Sequence, residues 1–102
     1  MAPIVLEFAG RLTVKEAMQT LGLQQQRLQQ AANASGITII GDLSKLTDVD
    51  TSALAVMLHL DRESRTRFAK PVRWRGTPAN LISLAGLSSL TSVFEWEDGA
   101  QE

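Results

Sequence analysis

Cysteine is absent from this chain, and that alone excludes disulfide frameworks, thiol catalysis and zinc–thiolate sites. Histidine occurs once, at His59, so there is no second imidazole with which to build a metal site. No glycine-rich phosphate loop, nucleophile elbow or metal motif is present, so neither an enzyme nor a cofactor-binding protein is expected. No window approaches the roughly eighteen apolar residues of a membrane span. The start, Met1 to Glu7, has no basic stretch leading into an apolar one, which speaks against a secretory signal. A cytoplasmic protein without direct membrane insertion is the expectation. A strong charge of one sign is missing too: the formal net charge is −1, which gives no electrostatic pull toward nucleic acid or acidic lipid.

What is present fits one domain spanning residues 1–102, with 44% hydrophobic and 21% charged residues. A chain of this size buries roughly two-thirds of its unfolded surface. Ile4 to Phe8 reads as a first strand ending at Ala9-Gly10. Thr13 and Glu16 have capping-box spacing, and a helix is expected from Thr13 to Ala32 with a break near Gly22. Its apolar stripe is Val14, Ala17, Met18, Leu21 and Leu28, and its glutamines, Gln24 among them, read as solvated surface. Asn33 to Gly36 is a turn, and Ile37 to Ile40 a buried β-branched strand that gives way to a polar loop.

A second helix is expected from about Thr51 to Phe68. Pro71 then imposes an extended entry into the alternating strand Val72 to Arg75, with Val72 and Trp74 on one face. A short helix follows at Asn80 to Leu84, then a strand or turn over Ser88 to Phe94. Residues 95–102 read as a flexible acidic tail in which Trp96 is exposed. The alternation of strands and helices indicates an α/β domain, a small central sheet with helices packed on it.

The second helix begins with Asp50-Thr51-Ser52 followed by a run, Ala53 to Leu60, whose only polar side chain is His59. Any of the three leading residues can cap the helix. The apolar run exceeds the single stripe that packing on a sheet requires, so its outer side is expected to meet a protein partner.

The tract Ile-Thr-Ile-Ile-Gly-Asp-Leu-Ser, followed by Val-Asp-Thr-Ser-Ala-Leu-Ala, resembles the STAS domain of anti-sigma-factor antagonists and related modules. The resemblance runs from about Ile37 to Leu90. In the antagonists the tract is Asp-Ser-Ser-Gly-Leu with the second hydroxyl phosphorylated, the slot that Ser52 occupies here. In members of the MlaB type a threonine directly follows the aspartate, and Thr51 matches it; the stretch Leu54 to Leu60 is similar as well. Ala53 departs from the usual glycine, which puts the docking geometry in question, and little chain remains after Phe94 for the final helix that many members carry.

The resemblance implies a STAS-like fold and three alternative roles. The first is an MlaB-like subunit that binds the cytoplasmic ATPase of a phospholipid-transport ABC transporter, held at the inner face of the membrane through that partner. The second is an antagonist that binds an anti-sigma-factor kinase and is switched by phosphorylation of Ser52. A small-ligand or nucleotide-binding module is a third. The expected partner surface comprises Asp50, Thr51, Ser52, Ala55, Val56 and His59, with Asp50 as the cap and the two hydroxyls facing outward.

Two clusters remain. Arg62, Arg65, Arg67, Lys70, Arg73 and Arg75 place six of the ten basic residues within fourteen positions, read as a solvated helix end or, less favourably, a site for phosphate, head-group or acidic partner. Asp42, Asp48 and Asp50 lie near one another but lack calcium-loop spacing, so no metal is expected.

Overall fold

The computed structural model describes residues 3–31 and 37–97. In chain order the elements are β1 (Ile4–Leu12), α1 (Ala17–Gln30), β2 (Ile39–Val49), α2 (Thr51–Phe68), β3 (Val72–Arg75), α3 (Ala79–Leu87) and β4 (Glu95–Trp96). The α/β architecture is the expected one. The expected turn at Asn33 to Gly36, the end of the first helix at Ala32 and the tail beyond Glu97 lie outside the described residues.

The strands form one parallel sheet in the order β1-β2-β3-β4, the order of the sequence itself. When each crossover moves one strand further in the same direction, a common handedness puts every helix on the same face. Burial along the strands agrees. Leu6, Phe8, Ile39, Leu43, Val72, Trp74 and Trp96 point into the core beneath the helices, whereas Glu7, Arg73 and Glu95 are exposed. Parallel sheets usually have both faces covered. The open face here is made tolerable by charge: in register lie Glu7, Asp42 and Arg75, and beside them Arg73 and Glu95. Arg75 pairs with Asp42 at 3.2 Å.

β2 is much longer than the segment Ile37 to Ile40, and the expected polar loop after it is strand. Leu43 and Leu46 reach the core from this stretch, and pairing continues to Leu12↔Val49 across register shifts in the ladder. A bulge breaks the two-residue alternation, which is why polar Ser44 and Lys45 fall together and read as a loop. β1 likewise runs on through Gly10, whose φ is +76°.

The outer edge of β1 is covered by side chains from α1. Gln24 Nε2 donates to the Glu7 carbonyl at 2.8 Å and Arg27 Nη2 to the Val5 carbonyl at 3.0 Å. Unpaired strand edges invite association, and these two contacts occupy this one. The buried row of α1 is therefore Ala17, Leu21, Gln24 and Leu28, at helical spacing. Gln24 is not surface, Val14 and Met18 are strongly exposed, and the helix passes Gly22 without a break.

Gly41 lies on the core face directly beneath the Trp74 indole, so that any β-carbon at this position would collide with the ring. The indole joins Phe8, at a centroid distance of 6.0 Å, to Phe94 at 6.2 Å, and Phe94 meets Trp96 at 5.8 Å. Glu95 and Trp96 thus belong to the sheet rather than to an acidic tail. Trp96 is buried, its Nε1 donates to the Thr91 carbonyl at 2.7 Å, and the Glu97 N–H donates to the Trp74 carbonyl at 2.8 Å.

Candidate functional site

The junction of β2 with α2 brings the hydroxyl tract to the surface. Asp50 is extended, with φ −137° and ψ −169°, and its Oδ1 accepts the Ser52 N–H at 2.8 Å, so it caps α2 as expected. Its Oδ2 accepts the Val14 N–H at 3.2 Å, which ties the start of α2 to the turn ahead of α1. Partial burial acts to raise the Asp50 pKa, but hydrogen bonds from the Ser52 and Val14 backbones and the Ser52 hydroxyl outweigh it and hold the carboxyl below its ordinary value.

In that turn the Glu16 carboxylate accepts both the Thr13 hydroxyl, at 2.6 Å, and the Thr13 N–H, at 2.9 Å. The Thr13 hydroxyl and backbone are the main reasons that Glu16 is held below its usual range. The helix itself begins only at Ala17, one turn later than the capping-box spacing suggests.

With Asp50 occupied by the cap, Thr51 is exposed and Ser52 half-buried. Down the helix, Ala55, His59, Arg62 and Thr66 are exposed and share a side with Thr51, since the spacings of three, four and seven residues return to one face. Of the residues expected to face a partner, Ser52 is half-buried rather than fully outward, and Val56 is covered altogether. It is 2% exposed and lies in the core, as do Ala53, Leu54, Met57 and Leu60. The apolar excess of this helix is consumed by three neighbours rather than one: α1 and α3 lie against it in addition to the sheet. Only Ala55 and the half-buried Leu58 remain of it on the outer side.

Asp61, which precedes the run of arginines, is 4% exposed and clamps α2 to the sheet. Its Oδ1 accepts the Val72 N–H at 3.1 Å and its Oδ2 the Arg65 Nε–H at 2.9 Å. Arg65, four residues along the same helix, is the local partner, but the burial of Asp61 has no local signature because the β3 backbone that it also binds comes from another element. The basic cluster also separates in space. Arg62, Arg65 and Arg67 lie on α2, whereas Arg73 and Arg75 belong to the open face of the sheet. The three aspartates do not converge: Asp42 accepts the Ser44 hydroxyl at 2.6 Å, Asp48 pairs with Arg11 at 3.4 Å, and Asp50 caps α2. Asp42 is held below its ordinary pKa chiefly by the Ser44 hydroxyl and backbone, with Arg75 adding to it. Among the described residues no group of three His, Cys, Asp or Glu side chains is placed to hold a metal ion. Nor is any helix among them long and apolar enough to cross a membrane.

The chain matches no protein-family model and no curated protein. Among solved structures it is similar to an uncharacterized protein of the DUF3478 family from Shewanella loihica PV-4, which has a SpoIIAA-like fold. The identity is 18%, the similarity covers 88% of this chain and 70% of that one, and the TM-score is 0.46.

Proposed function

We propose that this chain is a STAS-like, non-enzymatic adaptor that docks on the cytoplasmic ATPase of an MlaB-type phospholipid transporter through the first turns of α2. The observation that carries this reading is the division of labour in the hydroxyl tract. Asp50 caps the helix by accepting the Ser52 N–H, which leaves Thr51 free of that task and exposed beside the small Ala55. A small exposed residue one turn below a hydroxyl permits close approach of a partner's backbone. Thr51 is the residue that matches the MlaB pattern, and it needs no modification to serve as a contact.

Phosphorylation of Ser52, the antagonist alternative, has less support. A phosphate there would sit beside the Asp50 carboxylate, where like-charge repulsion opposes the capping interaction. The test is co-purification with the ATPase of an MlaB-type phospholipid transporter from the same cell. Thr51→Glu should abolish association while the fold stays intact. Undiminished association of that variant, or incorporation of phosphate at Ser52 by a neighbouring kinase, would overturn the adaptor reading.

A further inference from the structure

We infer that the outer face of α2 seats an acidic protein segment that carries an apolar side chain, with Arg62 as the charge contact. α2 has two acidic residues, and each already has a cation: Asp61 is buried against Val72 and Arg65, and Glu63 pairs with Arg67 at the surface at 3.0 Å. Among the described residues Arg62 has no ion-pair partner, and it is exposed. The solvent side of the helix therefore carries Arg62, Arg65 and Arg67 against the half-buried Glu63, and Arg62 is the cation left over once the two pairs are made. Arg62 also forms the rim of a crevice of about 140 Å³ lined by Ala55, Leu58 and His59. Its walls suit one inserted apolar side chain, and His59 and Arg62 also line a wider, shallower groove of about 480 Å³ with Glu63, Thr66 and Arg67. Thr51 and Arg62 stand about 16 Å apart along the helix axis, a span that a single extended or helical segment can cover.

A lipid surface would also be drawn to positive charge. The observations favour a protein, because membrane-surface helices bury a broad apolar face, and here the outer side offers only Ala55 and part of Leu58. An acidic segment gains orientation from this layout: the apolar residue fills the crevice and its carboxylate meets Arg62 on one side only.

The test is a titration of the isotope-labelled chain, followed by backbone amide shifts, with a short peptide of glutamates flanking a central Leu-Phe pair. Two control peptides are used, one with Ser-Ser at the centre and one with lysines in place of the glutamates, and phosphatidylglycerol vesicles form a further arm. The expected result is shifts confined to Ala55, Leu58, His59, Arg62 and their neighbours with the first peptide alone. Arg62→Glu should weaken binding about tenfold with unchanged circular dichroism. Filling the crevice with Ala55→Leu should do the same without altering charge. Equal binding of either control peptide, binding of vesicles in place of the peptide, or no binding at all would overturn the inference. It rests on α2 being a docking surface, yet the two fail separately. If the native ATPase is lost on Thr51→Glu but retained on Arg62→Glu, the acidic-segment inference falls and the adaptor reading stands.

Discussion

Asp50 accepts the backbone N–H of Val14 at 3.2 Å across 36 residues of sequence, with the same carboxylate that caps α2. One side chain thereby fixes the angle between the start of α2 and the turn leading into α1. Asp50→Ala should lower the melting temperature and speed hydrogen exchange at both Ser52 and Val14. Asp50→Asn keeps one carbonyl acceptor and should fall between the two. Loss of protection at Ser52 alone would show that the contact with Val14 has no weight in solution.

Acid should weaken the fold through a small set of carboxylates. Glu16, Asp42 and Asp50 are all held below their ordinary values of 4.5, 3.8 and 3.8. The unfolded chain therefore binds more protons than the native one in that range. Their contribution is complete above about pH 5 and is lost as pH falls through the native values. Thermal unfolding measured from neutral pH into acid should show a level plateau and then a decline. In a Glu16→Gln, Asp42→Asn double variant the decline should be shallower and the plateau lower.

Val56 and Ala55 are adjacent in sequence and opposite in consequence. Val56→Asp puts an unpaired carboxylate into a site that is 2% exposed, at a cost of at least about 3 kcal/mol, and should unfold much of the population at physiological temperature. Ala55→Asp lies on the exposed face and should change stability by less than about 0.5 kcal/mol while removing partner binding. Urea unfolding of both variants, paired with the co-purification assay, separates the core role from the docking role.

Gly41→Ala should cost about 1–3 kcal/mol, because the new methyl occupies the space of the Trp74 ring and must push it against Phe8 and Phe94. A second substitution, Trp74→Leu, should make Gly41→Ala less costly than it is in the parent chain. Simple additivity in the resulting double-mutant cycle would contradict the contact.

Local patterns in this chain reach a definite distance. The Asp50 cap, the span Thr51–Phe68 and the alternating strand Val72–Arg75 are legible residue by residue, because capping, helical periodicity and two-residue alternation depend on near neighbours in sequence. Where alternation is interrupted, at Ser44 and Lys45, the same reasoning loses the strand. It loses β4 as well, since two residues carry no periodicity and only pairing with β3 makes Glu95 and Trp96 a strand.

Which apolar residue of α2 ends up covered depends on long-range packing. Val56 and Ala55 have the same local standing at the start of an apolar helix, and they differ because other helices lie against one flank and leave the other open. Gln24 reaching the edge of β1 and Asp61 reaching the Val72 N–H are contacts of the same kind. Near-neighbour chemistry thus settles where this chain bends, caps and alternates. The identity of its free surface follows from which groups distant segments happen to satisfy, and a hydrogen bond or a covered methyl contributed from far along the chain leaves no mark on the residues beside it.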